Sequence, residues 1–513
     1  MAGDNARRFH DATTHTPDSV RRSGHTLDWD NKPFPFKVYV DAPSIPLPRE
    51  VDTLATPALA AVAGVGASPL ARLTLGTLTS LLYYTAGVTK KKQYPGGAEV
   101  LFRAAASTGA LYQTEVYVVA GDVDGLAPGL YHFSPGDFMV RRLRAGDVRG
   151  ALATAAADES IARRACTLVL TAIYWRNTWK YQARAYRHLF WDSGTMLANG
   201  LAVATVLGLA PRLCTGFVDA AVNRLLGVDV AHEAALELLA IGPEGAAAAA
   251  GELETIAHPV MPLSRAELDY PMLRQALAAS ALLDSDAVRA WRATAAGAPA
   301  AAARDVQRLP VPDASSGRTL GETIQRRGST RTFAHAPLTV DELGAALWAA
   351  ARPVPHDAPG GHVDLYLVIN AVQGVAAGAY RYDAAAHGLE RLAEGDFRRQ
   401  SAFLTLEQPL GGDAAAVIYF LAPLNAVLAT SGDRGYRLVN LEAGIAGGRA
   451  YLAAYALGFG ASGLTFYDAE VVRFFSPRAA GEDAIFVTAL GRAAPVEDRV
   501  LLSTPKPAPP RRP

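Results

Sequence analysis

Basic and hydroxyl side chains alternate near residue 330, just ahead of a segment with helical spacing. Arg327, Ser329 and Arg331 occupy every second position of this stretch. Side chains two residues apart point the same way from an extended backbone. Guanidinium groups bind phosphate oxygens through paired hydrogen bonds, and a serine hydroxyl adds a donor. The pattern therefore predicts a phosphate site, and the alternative is a basic turn that faces solvent.

The residue types that bind metals are sparse and scattered. The two cysteines, Cys166 and Cys214, lie in apolar contexts without metal-ligand spacing to each other or to a histidine. We expect both to be buried and inert. His10, His15 and His25 share no ligand spacing either, and we interpret them as unrelated surface residues. The sequence therefore predicts no metal site.

The second half of the chain repeats the first at a nearly fixed distance. Tyr131 and Tyr380 follow similar small-residue turns and are 249 residues apart. Tyr186 and Tyr436, each within an Arg-x-Tyr-Arg segment, are 250 residues apart. A duplicated domain is equivalent to a dimer whose two-fold interface lies within one chain and is free to become asymmetric. A site between the two copies can take different chemistry from each.

The same elements must position these residues in both halves. β-rich or apolar runs at 115–120 and 167–172 return at 364–369 and 416–421, and long helical segments begin near Tyr186 and Tyr436. Near-continuous apolar runs are typical of central strands that are covered on both faces. Each half therefore mixes helix and strand in an α+β arrangement rather than a βαβ array.

The chain divides into five segments. We predict a Pro-rich N-terminal arm with little regular structure at 1–50, a first domain at 51–253, a helical and Ala/Pro-rich connector at 254–311, a second domain at 312–497 and a disordered tail at 498–513.

The charge balance excludes some partners. The chain carries 49 Lys plus Arg and 49 Asp plus Glu, so no global field favours nucleic acid or a membrane surface. No targeting segment and no membrane-spanning apolar run is recognised. These features predict a cytoplasmic protein.

The segment at 326–333, followed by a helical stretch from Leu338, resembles the opening of the FMN-dependent nitroreductase family. In that family an R-x-S-x-R/K segment holds the flavin phosphate. The resemblance implies that Arg327, Ser329 and Arg331 bind phosphate and that Arg331 lies near the N1/O2 edge of the ring. A cation there would stabilise the anionic reduced flavin.

The stretch from Arg103 to Gly109 resembles the family segment R-x-x-P-S-x-G, although Ala106 stands where the family has proline. That loop lies against the isoalloxazine ring and comes from the opposite subunit of an obligate homodimer. The resemblance implies that Arg103, Ser107 and Gly109 contact the ring, and it implies nitroreductase-like domains, each a mixed antiparallel sheet flanked by helices.

The end of the second half carries two further cofactor candidates. The loop containing Ser462 and Gly463 resembles the family loop whose backbone N–H faces flavin N5. Small residues there allow the backbone to approach closely. Arg492 either reaches the phosphate or forms a surface salt bridge.

The losses in the two halves are complementary. By alignment, the phosphate positions of the first half fall on Val62, Gly64 and Gly66, whose side chains cannot bind phosphate. The second half lacks both the ring-covering loop and the Lys-Tyr pair. Since these parts come from opposite subunits in the parent homodimer, we expect one composite FMN site per chain. The fused pair forms an intrachain pseudo-dimer and is expected to act as a monomer.

The segment from Trp179 to Arg187 resembles the K-Y-x-x-R-x-Y-R motif of the SagB/ThcOx-type branch, which oxidises azolines to azoles in peptide natural products. The resemblance makes Lys180 and Tyr181 the catalytic candidates. A lysine whose pKa is lowered by burial and cationic neighbours, or Tyr181 beside it, would serve as the base. The alternative is that Lys180 is an exposed residue at a strand end and Tyr181 a core aromatic.

The leading functional prediction is an FMN-dependent oxidoreductase that removes two hydrogens from a peptide heterocycle or a related intermediate. One alternative is an NAD(P)H-dependent nitro- or quinone reductase. Another is a flavin-free scaffold in a biosynthetic complex. The expected partners are a small-molecule or peptide substrate and other biosynthetic enzymes.

Overall fold

Two seven-stranded sheets and a layer of helices organise the chain. The structure, a computed structural model, describes residues 3–93, 99–294, 305–495 and 502–503. The helices are α1 (Asp4–Ala12), α2 (Pro17–Arg22), α3 (Ala58–Val62), α4 (Leu75–Ala86), α5 (Arg149–Ala156), α6 (Ser160–Arg163), α7 (Tyr174–Tyr181), α8 (Ala185–Val206), α9 (Asp219–Leu226), α10 (Pro271–Ala279), α11 (Ser285–Arg292), α12 (Leu320–Arg326), α13 (Val340–Ala350), α14 (Arg398–Leu404), α15 (Pro409–Asp413), α16 (Leu424–Ser431), α17 (Arg434–Leu457) and α18 (Asp468–Phe475). The strands are β1 (Ser44–Pro46), β2 (Leu73–Thr74), β3 (Val88–Gln93), β4 (Glu99–Arg103), β5 (Thr114–Ala120), β6 (Val123–Asp124), β7 (Gly129–Ser134), β8 (Met139–Ala145), β9 (Arg164–Ile173), β10 (Arg212–Cys214), β11 (Glu233–Glu244), β12 (Val306–Arg308), β13 (Asp364–Ile369), β14 (Gly378–Asp383), β15 (Gly388–Glu394), β16 (Ala416–Ala422), β17 (Gly460–Gly463), β18 (Asp483–Gly491) and β19 (Leu502–Ser503).

The two large sheets have the same strand order. The first runs β1-β8-β7-β5-β9-β11-β10 and the second β12-β15-β14-β13-β16-β18-β17. Every neighbouring pair within them is antiparallel. All residues of β9 and β16 are buried, as the apolar runs predict, because helices and loops cover both faces. The tandem α+β duplication is confirmed.

The two halves meet along the long helices α8 and α17. Gly194 and Gly444 let their backbones touch: a Cβ on Gly194 would lie 2.7 Å from the carbonyl oxygen of Leu441. The rings of Tyr186 and Tyr436 stack with centroids 6.0 Å apart and planes inclined by 9°. The interface is therefore the pseudo-two-fold contact that the repeat predicts. Within the described ranges, no helix is both long and apolar enough to cross a membrane.

Reciprocal ion pairs tie the halves together near this axis. Asp219 of the first half accepts hydrogen bonds from Arg434 and Arg437 at 2.6 and 2.8 Å. Asp468 of the second half makes the equivalent contacts with Arg184 and Arg187, at the start of α8. Removing one partner would leave an uncompensated buried charge, which costs about 3–5 kcal/mol.

The segment predicted as an arm with little regular structure contains α1 and α2, and its β1 forms an edge of the first sheet. The predicted connector contains the equivalent elements α10, α11 and β12. The backbone N–H of His15 donates to Asp468 and that of Leu282 to Asp219, both at 2.9 Å. These segments are therefore two copies of one N-terminal extension. The fixed distance of about 249 residues does not reveal this equivalence, because His15 and Leu282 are 267 residues apart.

Two predictions concern segments that the structure describes only in part. The predicted disordered tail lies mostly outside the described residues, but Leu502–Ser503 pairs with Lys91 and Lys92 of β3. That short part of the tail is therefore ordered by backbone hydrogen bonds. The Ala-rich run of the connector, Ala295 to Ala303, lies outside the described residues.

Candidate functional site

A cavity of about 780 Å³ lies between the two halves. Residues 12–25 of the N-terminal segment form one wall. The sequence-predicted residues that line it are Ser107, Gly109, Lys180 and Tyr181 from the first half and Ser329, Arg331 and Gly463 from the second. Cavities of this size bind small ligands and cofactors. Each half therefore contributes different side chains to one cleft.

The loop at the cavity floor is held by a buried carboxylate, Asp192 of α8. Asp192 accepts hydrogen bonds from the Ser107 hydroxyl at 2.5 Å and from the backbone N–H and hydroxyl of Thr108 at 3.0 and 2.7 Å. Burial raises the pKa of Asp192 to about 6, although these donors oppose the shift. Sequence reasoning missed Asp192, because a single acid within an apolar helix gives no signal.

Gly109 lies where this loop passes under Tyr181. Its φ of 63° is in the left-handed region, and a Cβ there would come within 3.0 Å of the Tyr181 hydroxyl. Only glycine combines that backbone conformation with so close an approach. The loop and the Lys-Tyr segment are thus packed against each other.

Lys180 and Tyr181 form the last turn of α7, which follows the central strand β9. Lys180 is therefore at a helix end, and the alternative of a strand end is wrong. Burial, followed by Arg331 and Lys32, lowers the pKa of Lys180. Burial raises the pKa of Tyr181, and the nearby Asp192 adds to the shift. At neutral pH Tyr181 therefore remains a proton donor, and Lys180 is the better candidate for a base.

The backbone is strained directly after this pair. Gln182 adopts φ 51° and ψ −144°, a backbone conformation that residues other than glycine rarely adopt. The equivalent residue of the second half, Gly432, has φ 60° and ψ −161°. The chain therefore makes the same turn twice, but the first copy makes it with a glutamine in the cavity wall.

In the second half, one tyrosine links the predicted cofactor residues. The Tyr451 hydroxyl lies 3.3 Å from the Ser329 hydroxyl and accepts a hydrogen bond from the backbone N–H of Gly463 at 2.6 Å. That N–H therefore has a partner within the protein. Arg331 is exposed at the cavity, with no carboxylate within ion-pair distance in the described residues. Tyr451 also lines the cavity and was not predicted.

Arg327 does not line the cavity with Ser329 and Arg331. Its buried guanidinium donates to three consecutive carbonyl oxygens of the first half, those of Arg103, Ala104 and Ala105, at 2.7–3.0 Å. These contacts hold the segment that leads into the Ser107 loop. The expectation that Arg327 extends toward a phosphate is corrected, because the carbonyl groups turn its side chain into the domain interface.

Three other predicted residues also lie outside the cavity lining. Arg103 is buried and donates to the carbonyl oxygens of Thr114 and Pro35 at 3.2 and 2.6 Å. The Ser462 hydroxyl is buried and has no hydrogen-bond partner in the described part of the chain. Arg492 donates to both carboxylate oxygens of Glu342 at 2.7 and 2.8 Å, so the salt-bridge alternative is confirmed.

The arm histidines are not unrelated surface residues. His15 and His25 line the cavity, and His10 is buried with its Nδ1 3.2 Å from the Tyr436 hydroxyl. Their spacing in the sequence does not indicate this location, because α1 and α2 bring them to the domain interface only in the folded chain. In the residues that the structure describes, no group of three or more potential ligands is placed to hold a metal.

The pseudo-symmetric position is almost filled. A cavity of about 10 Å³ remains there, roughly the space of one water molecule. Its lining includes Glu237 and Leu441, which are equivalent to Phe486 and Trp191 of the open cavity. The Trp291 side chain of α11 occupies this position, and its Nε1 donates to the Ser431 carbonyl oxygen at 3.2 Å. Among the residues that the structure describes, the position between the halves is therefore open on one side of the pseudo-two-fold axis and nearly filled on the other.

Comparisons with known proteins agree with this architecture. The nitroreductase family profile matches residues 71–243 and 324–491. A crystal structure of an Anabaena variabilis protein named as a nitroreductase aligns with a TM-score of 0.77 and 28% identity, covering 96% of this chain and all of that one. A Methanocaldococcus jannaschii protein named as a nitroreductase is 28% identical over 176 residues, 33% of this chain and 88% of that protein.

A further similarity is to a protein named for the processing of a toxin. The trifolitoxin-processing protein TfxB of Rhizobium leguminosarum bv. trifolii is 28% identical over 178 residues, which are 33% of this chain and 47% of that protein. This match agrees with the SagB/ThcOx-type resemblance of the Lys180 segment. The two matched regions contain six of the seven strands of each large sheet, all except the edge strands β1 and β12. The chain therefore belongs to the nitroreductase family of oxidoreductases, as two tandem copies fused into one pseudo-dimer.

Proposed function

We propose that the protein is an FMN-dependent dehydrogenase that oxidises an azoline-type heterocycle of a peptide, or a related intermediate, at one composite site per chain. The observation that carries the proposal is the meeting of Lys180 and Tyr181 from one half with Arg331 from the other in one 780 Å³ cavity. Arg331 lies near enough to lower the pKa of Lys180. A base and an anion-binding cation thus share one cleft.

The residues present fit a phosphorylated flavin. The cavity volume is within the range of cofactor sites, and Arg331 offers a guanidinium without a carboxylate partner in the described residues. The Ser329 hydroxyl can donate beside it. Family members generally bind FMN. We therefore assign the phosphate end to Ser329 and Arg331, and the ring to Ser107, Gly109 and the segment ending at Gly463.

The side chains of this protein would divide the work of removing two hydrogens. When bound, FMN supplies the hydride acceptor. Lys180, with its lowered pKa, takes the second hydrogen as a proton at Nζ. Tyr181 remains protonated and donates a hydrogen bond from its hydroxyl, while the wall formed by residues 12–25 restricts the access of water. O2 is proposed to reoxidise the cofactor.

The substrate class is supported by sequence similarity. The relative named for trifolitoxin processing shares 28% identity over 178 residues. The Lys-Tyr pair, which resembles part of the motif of the azoline-oxidising branch, lies in the cavity. Both observations favour a processing reaction on a peptide over reduction of a free nitro compound. Other biosynthetic enzymes are then expected to act before and after this one.

The first experiment is to count flavin. The purified protein is denatured, and the released FMN is quantified per polypeptide. One FMN per chain is expected. Two per chain would contradict the composite site, and a colourless protein that fails to take up added FMN would favour the scaffold alternative.

The second experiment identifies the reaction. The holoenzyme is mixed anaerobically with a thiazoline-containing peptide or with NADPH, and flavin absorbance is followed. Bleaching by the thiazoline peptide is expected, with a product that is lighter by two hydrogens. Rapid bleaching by NADPH alone would instead identify a reductase.

A further inference from the structure

We propose that His15, His188 and Arg184 form a subsite for a peptide amide of the substrate, in which two imidazole nitrogens accept from its N–H and the guanidinium donates to its C=O. All three residues line the cavity. Each has a buried polar atom without a hydrogen-bond partner in the described residues: His15 Nδ1, His188 Nε2, and Arg184 Nε and Nη2. The inference rests on the proposed function only in placing the substrate in this cavity.

The tautomer of His188 follows from a chain of amides. The Gln113 side-chain NH₂ donates to the carbonyl oxygen of His188 at 3.1 Å, so the Gln113 side-chain oxygen is an acceptor and bonds the Asn177 NH₂ at 3.2 Å. The remaining Asn177 Oδ1 lies 2.8 Å from His188 Nδ1. Nδ1 must therefore carry the hydrogen, and Nε2 presents a lone pair.

His15 presents its other nitrogen in the same way. The backbone carbonyl group of Phe466 favours a proton on the His15 ring and so opposes the lowering of its pKa. Nδ1 is buried and has no partner in the described residues, so we assign the proton to Nε2 and the lone pair to Nδ1. Burial and Arg184 lower the pKa of His15 to about 3 and that of His188 well below its usual range. Both rings are therefore neutral at pH 7 and can only accept at these atoms.

The neighbouring charges restrict the class of ligand. Arg184, Arg187 and Lys180 lie around His188, and Asp468 compensates only part of their charge, so the local field disfavours a cationic ligand. A carboxylate is disfavoured by the two lone pairs. A neutral group with one donor and one acceptor satisfies all three side chains, and the peptide amide is the commonest such group.

The filled counterpart supports this assignment. Arg434, equivalent to Arg184, donates from Nε and Nη2 to the carbonyl oxygen of Thr215 at 3.0 and 2.8 Å. The two histidines are replaced there by Leu282 and Leu438. At the filled position, where no ligand can enter, Arg434 is thus hydrogen-bonded within the protein and no imidazole is present.

The test compares two thiazole probes that differ in one hydrogen-bond donor. The N-methylamide of 2-methylthiazole-4-carboxylic acid has an amide N–H, and the N,N-dimethylamide has none. Their affinities for the FMN-loaded protein are measured by calorimetry. We expect the N-methylamide to bind about tenfold more tightly, as for one buried hydrogen bond. Equal affinities would overturn the proposal.

Variants locate the preference. His15→Leu and His188→Leu introduce the residues of the filled counterpart and are each expected to reduce the preference to less than about threefold. The control His335→Leu, at an exposed position outside the cavity, should leave it unchanged. FMN content shows that each variant is folded, and His15→Leu serves if His188→Leu loses the cofactor. A full preference retained in both variants contradicts the subsite.

Histidine-nitrogen NMR gives a readout that does not depend on turnover. In ¹⁵N-histidine-labelled protein, His15 should be protonated at Nε2 and His188 at Nδ1, and the unprotonated nitrogens should shift on addition of the N-methylamide. The opposite tautomers, or a complete shift with FMN alone, would overturn the proposal. A preference for the N-methylamide without thiazoline oxidation would contradict the proposed reaction and support the subsite. Thiazoline oxidation without that preference would support the reaction and contradict the subsite.

Discussion

The open cavity and its pseudo-symmetric counterpart have the same framework but differ in what the N-terminal segment of each half places over them. Aligned on their N-cap residues, Thr16 and Asp284, α2 and α11 bring Ser23 to the open cavity and Trp291 to the filled one. The side chain at this position therefore contributes to the difference between cavity volumes of about 780 and 10 Å³. Fusion made this possible, because each interface residue could then vary in one copy alone.

The two equivalent carboxylates show how the framework was reused. Asp192 holds the Ser107 loop beside the open cavity. Glu442, 250 residues later, accepts hydrogen bonds from His356 Nε2 and from the backbone N–H groups of Gly361 and His362 at 2.9–3.0 Å. One carboxylate organises a loop at a ligand site, and the other ties down a closed loop.

The largest expected effect concerns the proposed base. Lys180→Ala should lower kcat for thiazoline oxidation by about two to four orders of magnitude while FMN is retained, because general-base catalysis contributes that much. The matched control is Thr430→Ala at the equivalent position of the second half, which should leave kcat unchanged. Unaltered turnover in Lys180→Ala with FMN bound would show that the assigned role is wrong.

Exchanging the residues that fill and open the two sites should test the comparison directly. Trp291→Ala removes a buried aromatic ring and is expected to cost about 3–5 kcal/mol of unfolding free energy, with no loss of FMN. Ser23→Trp, at an exposed position, should leave the unfolding temperature unchanged but weaken FMN or probe binding about tenfold, or 1.4 kcal/mol. If Ser23→Trp binds FMN and the probe as tightly as the wild type, the small side chain of Ser23 is not what keeps the cavity open.

The carboxylates should contribute to stability with opposite pH dependence. The pKa of Asp192 is raised from 3.8 to about 6, so the folded protein binds its proton more tightly than the unfolded chain, and stability from this group falls by about 3 kcal/mol as the pH rises from about 4 to 6. Burial alone would raise the pKa of Glu442, but its hydrogen bonds with His356 and the loop hold the pKa below 4.5. Its contribution is therefore present above pH 4.5 and is lost as the pH falls.

Thermal unfolding of the wild type, Asp192→Asn and Glu442→Gln across this pH range measures the contribution of each carboxylate to stability. The difference between the wild type and Asp192→Asn should decrease with rising pH, whereas that between the wild type and Glu442→Gln should increase. Slopes of the same sign would contradict the distinction between the two carboxylates.

The smallest effect is expected at the strained turn. Gln182→Gly should stabilise the protein by about 1 kcal/mol, because it relieves the positive φ at some entropic cost. Gly432→Gln should destabilise the second copy of the turn by a similar amount. Thermal unfolding of both variants measures this, and a loss of stability in Gln182→Gly would mean that the glutamine side chain contributes more than the strain costs.

Parts of the site follow from sequence pattern and parts do not. The alternation at 327–331 places Ser329 and Arg331 at the cavity, but three carbonyl groups of the other half draw Arg327 away from it. The Lys-Tyr segment reaches the cavity because it directly follows a central strand. Asp192, Tyr451 and the arm histidines could not be found, since their importance comes from partners far away in the chain.

What the sequence by itself determined is the duplication, the α+β class and the half in which each chemically distinctive segment lies, because periodicity, apolar runs and short motifs are local. Only the tertiary structure decided which pseudo-symmetric cavity stays open. That outcome depends on the side-chain volume that α2 and α11 deliver to the interface. Such packing joins residues whose sequence spacing carries no signal.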